Sequence, residues 1–454
     1  MEESLFPLQD AVPPTQDPKA VGKPRLNRPN RGQIEWRPMD LDSLLPEEHE
    51  VRLVWDWVQQ MDLTPLYPAI RAVEGEAGRN AIDPAILVAL WLYATVQGVG
   101  SARQLEKLCD EHLAYRWLCG GVGVNYHTLA DFRVEHQACL EAWLIKSIAV
   151  LQGEGLVKLH QVAQDGKKLR ASAGSSSFHT KDTLERHLEA ARAQVESLRQ
   201  ELEADPGQGN SRVTKARERA ARERKARLEA AKGQLEEMEK RAEKSGWAAK
   251  NKKAGKKQRV SETDPQSRVM KMANGGFNPA YNAQFCTDTD SQIIVGVQVS
   301  QQGNDTGLAS PMLEQVHTNL GQMPEEALAD TSYFSFEEVV AITQKGCIPY
   351  FAIPHKGLPK TQTDGDQQYI PKPTDPPEVA ACRIRMGTEE AQARLVKRGA
   401  VAELVHAVLD QCNLARIRVR SIEKVKTMLL WFVLVHNWMR TRLLRERRGE
   451  VEGI

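Results

Sequence analysis

GLVKLHQVAQDGKK, residues 155–168, is the stretch where the chain stops reading as helix. Val157 and Leu159 alternate with Lys158 and His160, Gln161 breaks the phase, and Val162 and Ala163 lead through Gln164 into Asp165, Gly166, Lys167 and Lys168. A two-residue period belongs to a strand with one buried face. The segment therefore predicts a strand whose end delivers the Asp165 carboxylate beside a tight glycine turn. Ala327-Leu328-Ala329 predicts a second short buried strand, ending at Asp330, and a third acid, Glu403, sits on a helical stretch nearer the C-terminus.

On the N-terminal side, residues 1–45 are proline-bearing and polar without periodicity, and predict a mobile arm. Residues 46–152 carry helical spacing instead. Val51, Val54, Trp55 and Val58 recur every three or four positions, Asp83 and Pro84 form an N-cap and first helical residue ahead of Ala85–Gln97, and Ser101 with Gln104 resembles a capping box. Short helices joined by glycine-bearing turns are the material of helix-turn-helix readers, which nominates Arg133 and His136 for DNA-backbone contact. Most small helical bundles read no DNA.

On the C-terminal side the chain leaves on an excursion, 178–260. Leu184, Leu188, Ala191, Val195, Leu198 and Leu202 make a coiled-coil seam, Asp205–Asn210 breaks it, and Leu228, Ala231, Leu235 and Met238 form the stripe of a returning helix. An inserted antiparallel hairpin follows. Strand patterning resumes at Tyr281–Thr287 and Ile293–Ser300, flanking a turn in which Asp288 and Asp290 are turn formers rather than metal ligands. Asp305 and Thr306 read as caps for a helix through Leu320, Ser335 as the cap of a helix to Gln344, and Ile348–Ile353 as a strand. Residues 356–380 read as an irregular loop, and Glu389 and Glu390 fall in an irregular polar region. Helices at Leu395–Leu409 and Val425–Leu444 close the chain, which is thus a mixed α/β fold with an all-helical N-terminal domain.

With 454 residues, 41% of them hydrophobic, the chain can bury substantial cores. It has no apolar run long enough to span a bilayer and no signal-like start, so the expected location is cytoplasmic, away from membranes. Seven scattered cysteines form no C-x-x-C pair, which argues against a zinc ribbon or a disulfide framework. The net charge of +1 conceals local asymmetry: 18 Lys/Arg against 7 Asp/Glu between Ser211 and Val260, and 10 against 2 between Cys412 and Arg448. Such segments can neutralise a phosphate backbone, although a solvated helix face has the same composition.

Ile82-Asp83-Pro84, Gly98, Ser101 with Arg103 and Leu105, Tyr115-Arg116-Trp117-Leu118 and His127-Thr128 with Phe132-Arg133 are followed in order by Asp165-Gly166 with Lys168, then Met270 to Gln284, then Ala329-Asp330 with Tyr333-Phe334-Ser335. Arg398 and Glu403, Arg420–Val425 and His436-Asn437 complete the set. In that order, over about residues 50–440, the chain resembles an insertion-sequence DDE transposase of the IS-four/IS-five-like kind. It departs from the pattern around Glu403, where Leu395, Leu404-Val405-His406-Ala407 and Asp410 replace a tyrosine, a Pro-Val-Phe-Gly-like run and a lysine.

The resemblance implies an RNase H-like mixed sheet flanked by helices over 153–445, interrupted by the hairpin. It implies Asp165, Asp330 and Glu403 as catalytic and metal-binding acids holding two Mg²⁺ ions, with Mn²⁺ as a substitute, because two hard cations on carboxylates activate the nucleophile and neutralise the leaving oxygen. Lys168, Arg133 and Arg398 become the DNA contacts, although Arg398 reads equally well as a surface ion pair. The implied partners are double-stranded DNA, as terminal inverted repeats and target, and a second copy in a homodimer or higher synaptic complex at the nucleoid. A catalytically decayed DNA-binding derivative and a general RNase H-like nuclease remain alternatives.

Overall fold

The computed structural model describes residues 32, 40–73, 80–204, 212–244, 257–354 and 367–449. The arm at 1–31 and 33–39, the hairpin turn, the basic stretch 245–256 and the loop portion 356–366 lie outside them.

Helices α1 (Glu50–Gln59), α2 (Pro84–Val96), α3 (Ala102–Glu111), α4 (Leu113–Cys119), α5 (Tyr126–Glu135) and α6 (Gln137–Gly153) form the N-terminal region. Their starts follow the capping chemistry: the Asp83 side chain accepts from Ala85 N, and Ser101 from Gln104 N. Every residue of α2 from Pro84 to Thr95 is buried, which marks it as a core helix rather than a surface one.

Strand β1 (Gln161–Arg170) opens the sheet, and a short strand β2 (Phe178–His179) pairs antiparallel with β3 (Val260–Ser261) where the insert leaves and returns. Between them run α7 (Lys181–Ala204) and α8 (Arg212–Lys244). Leu184, Leu188 and Ala191 bury against Leu228, Ala231 and Leu235 in a small core of their own, while Val195, Leu198 and Leu202 are half-buried. Strands β4 (Arg268–Lys271), β5 (Phe277–Asp288) and β6 (Ile294–Ser300) follow, then α9 (Ala309–Leu320), β7 (Glu326–Ala329), α10 (Phe336–Gln344), β8 (Ile348–Phe351), α11 (Pro377–Met386), α12 (Glu389–Gln411) and α13 (Ile422–Arg447).

The sheet is mixed. β5 lies antiparallel to β1 on one side and to β4 and β6 on the other, whereas β7 and β8 continue from β1 in parallel. Helices flank it, as expected of an RNase H-like core. Helix α13 joins sheet to helical region. Val425 and Thr427–Asn437 are buried, the Asn437 amide exchanges two 2.9 Å bonds with the backbone of Ile294 on β6, and Trp431 Nε1 donates to the Arg133 carbonyl on α5.

Four local expectations are corrected. Asp165 does not end a strand, because β1 pairs with β5 from Val162 to Arg170; only its parallel pairing with β7 stops early, at Ala163. Asp305 and Thr306 do not cap α9, whose N-cap is Leu308, because their side chains are drawn to Asn282, Gln284 and Ser332. The loop expected through 380 ends earlier, since Pro377 starts α11. Glu389 and Glu390 form the first turn of α12, capped by Thr388 and suited by charge to a helix N-terminus.

Trp431→Ala would empty a fully buried site and leave the Arg133 carbonyl without its donor. The expected destabilisation is about 3–5 kcal/mol, read as a lower urea midpoint at unchanged slope.

Candidate active site

Asp165 and Lys167 alternate out of β1 toward α12. Arg398 Nη2 donates to Asp165 Oδ1 at 2.6 Å and stands 3.7 Å from Asp330 Oδ2, so one guanidinium reaches both acids. His406, two helical turns further, places Nδ1 3.8 Å from Asp165 Oδ2, and Lys167 pairs with Asp410 at 2.8 Å. Asp330 arrives directly after β7 ends, and its Oδ1 accepts from Ser332 N at 2.8 Å and Ser332 Oγ at 2.6 Å. The register explains the meeting: Asp165 stands two residues beyond the last β1–β7 pair, at the level where β7 gives way to Asp330.

Desolvation pushes the Asp165 carboxyl above the usual carboxylate range, opposed by Arg398 and His406 and reinforced by Asp330. Burial also lowers the His406 imidazole, and its Nε2 has no hydrogen-bond partner among the described residues. The charged form of Asp165 is thus held by α12 rather than by water.

The opposite face of β1 carries a polar network. Asp305 Oδ1 accepts from Asn282 Nδ2 at 2.7 Å and Gln284 Nε2 at 2.8 Å, and its Oδ2 lies 3.0 Å from Ser332 Oγ. Gln284 Oε1 accepts from Tyr333 Oη and from Gln164 Nε2. Ser332 thereby links Asp305 to Asp330, although its single hydroxyl proton serves one at a time. Gly166 is required here: a Cβ would collide with the Gln284 amide and stand 2.7 Å from Asp305 Oδ1.

Glu403 belongs to the same helix as Arg398 and His406 but is exposed, and among the described residues it makes no hydrogen bond or ion pair. At about 100° per residue it lies about 60° around the helix from His406 and about 140° from Arg398, turned away from the side on which Arg398 meets Asp165. Lys168 is half-buried on the Gly166 side of β1. Arg133, expected at the DNA backbone, is instead buried at 8% exposure. It donates to the Gly100 carbonyl at 2.7 Å and lies 4.6 Å over the Trp91 ring, and burial lowers it to about 10. Its cation is therefore engaged inside the helical region.

Exposed cations gather elsewhere. Leu414, Ile417 and Val419 are buried while Arg416, Arg418 and Arg420 beside them are exposed, and a parallel bridge sets Arg416 beside Arg170. Ser421, at φ 76° and ψ 150°, turns this ridge into α13 in a conformation costly for a side-chain-bearing residue. It is held there by Asp264, which also accepts from Tyr281 Oη at 2.7 Å. On α8, Lys215, Arg217 and Arg219 are exposed.

Two acids drawn to one cation make an anionic, oxygen-only position of the kind that suits a hard divalent ion. Asp165 and Asp330 fit such an ion, with Arg398 as their present counter-charge, while Glu403 is an exposed carboxylate on the helix that carries Arg398. Asp305 and His406 were not singled out as site residues from the sequence. An acid after a strand reads as a cap, and nothing local tells a histidine eight residues from an arginine that both face one aspartate.

Two family models match the chain: "Transposase domain (DUF772)" over residues 39–135 and "Transposase DDE domain" over residues 241–438. No match was found among curated proteins or among solved structures. The second match begins inside α8 and so excludes β1, which the insert separates from the remaining strands and the pairing with β5 and β7 restores. A helical transposase domain followed by a DDE core in one chain places this protein among the insertion-sequence DDE transposases, enzymes that cut DNA and transfer its strands.

Proposed function

We propose that this transposase binds the terminal inverted repeats of its own element, nicks them in a Mg²⁺-dependent reaction and joins the freed 3′-ends to target DNA. The observation that supports it most is the reach of Arg398 to both Asp165 and Asp330. Asp165, Asp330 and Glu403 would hold two divalent ions, Mg²⁺ or in its place Mn²⁺, which make the attacking hydroxyl more acidic and neutralise the leaving oxygen.

The chain's own groups supply the rest. Arg398 holds the acids together in the free protein; once they are otherwise neutralised, its planar fork is available to clamp a phosphate. Burial lowers the His406 imidazole beside Asp165, so Arg398 is the main positive partner of the acids. Lys168, the Arg416–Arg420 ridge and the exposed cations of α8 grip the duplex backbone. Two ends must be held together for joining, so the working form is a homodimer or larger synaptic complex, acting at the nucleoid in the cytoplasm. The exposed position of Glu403 favours one second reading, a catalytically decayed DNA-binding derivative.

Asp165→Asn and Asp330→Asn are each expected to lower cleavage of an end-containing duplex by at least ~10²-fold while end binding is kept. Full cleavage by both would refute the assignment. Glu403→Gln should match them; if it is silent while Asp305→Asn is inactive, the third carboxylate is Asp305. No cleavage by the unaltered protein with Mg²⁺ or Mn²⁺ supports the decayed derivative, and equal cleavage of random DNA supports a general nuclease.

Replacing Arg416, Arg418 and Arg420 with alanine should weaken binding across all sequences and flatten the dependence of log K on log salt by about 0.9 for each phosphate no longer neutralised. An unchanged slope would remove the ridge from the DNA interface.

A further inference from the structure

We propose that His179, His187 and Glu262 form a binding site for a Zn²⁺-class cation at the root of the inserted hairpin, apart from the acids that serve catalysis. His179 ends β2 on the outgoing chain, His187 lies in the second turn of α7, and Glu262 follows β3 on the returning chain. One ligand atom from each lies within 4.8 Å of the others. His187 Nδ1 is 2.8 Å from Glu262 Oε2, His179 Nε2 is 3.7 Å from Glu262 Oε1, and the two rings meet edge-on with centroids 4.9 Å apart.

These spacings suit a small tetrahedral ion. Zn–N and Zn–O bonds of about 2.0–2.1 Å set ligand atoms roughly 3.3 Å apart; the histidines approach the two oxygens of one carboxylate at 2.8 and 3.7 Å, and a set of ligand atoms within 4.8 Å would close on an ion by side-chain rotation. The backbone beneath is already fixed: β2 pairs with β3, Glu262 N donates to the Ser177 carbonyl at 2.9 Å, and the Ser177 and Ser261 hydroxyls are 2.7 Å apart. Two imidazoles and one carboxylate select Zn²⁺, Co²⁺ or Ni²⁺ over Mg²⁺, whereas Asp165 and Asp330 offer only hard oxygen. All three side chains are half-buried and so remain partly open to solvent. A bound ion would lock the outgoing and returning chains together and fix the angle at which the basic hairpin leaves the core. The site does not depend on the catalytic assignment.

The test uses tag-free, EDTA-stripped, full-length protein titrated with Co²⁺, followed by visible absorption. One equivalent should give the intense bands of a tetrahedral centre, be displaced by Zn²⁺ and not by excess Mg²⁺, and raise the melting temperature. His179→Ala and His187→Ala should each abolish the bands, and Glu262→Gln, which keeps the side-chain size, should weaken affinity by at least about tenfold; circular dichroism checks that helicity is retained. Asp165→Asn should leave the bands intact. Only weak octahedral bands, or bands that survive both histidine variants, vanish in Asp165→Asn or yield to Mg²⁺, would overturn the proposal.

Discussion

A carboxylate drawn part-way out of water between a sheet and a helix demands a positive partner, and the demand of Asp165 for Arg398 is the constraint around which this protein is arranged. Arg398 lies on α12, so the helix must cross β1 at one height. The parallel pairing of β1 with β7 then sets Asp330 at that height, within reach of the same guanidinium. Sheet register and helix placement therefore determine the electrostatics of the site together.

The polar network behind Gly166 supports that arrangement from the other face of the strand. Asn282, Gln284, Asp305 and Ser332 satisfy one another, with Tyr333 and Gln164 closing the two ends. A buried network of this kind is stable only when each donor finds an acceptor. That explains both the bare glycine on β1 and the diversion of Asp305 from the capping role its position suggests.

Helix α13 gives the molecule its continuity. Buried on every side from Thr427 to Asn437, it packs on α2, α5 and α6 and pairs Asn437 with the edge of β6, so the helical transposase domain and the DDE core share one apolar core. The hairpin stands apart, with its own small seam, tied to the sheet by its two-stranded foot and by Arg268, which bonds Gln234 of α8 and Gln301. A cation on His179, His187 and Glu262 would strengthen the narrowest of these connections.

Local periodicity was enough to determine the mixed α/β class, the helical N-terminal region, the hairpin seam and the helix caps at Asp83, Ser101 and Ser335, because each depends on residues a few positions apart. The acids at 165 and 330 were legible for the same reason, as carboxylates at apolar strand-like runs. Tertiary structure alone decided that Asp165 lies mid-strand, that Arg133 is consumed by Trp91 and Gly100, and that Arg398, His406 and Asp305 gather around the acidic pair. Those outcomes depend on partners from about thirty to more than two hundred residues away, and on which face of a helix is left over once its apolar side is buried. Neither quantity exists until the chain has closed on itself.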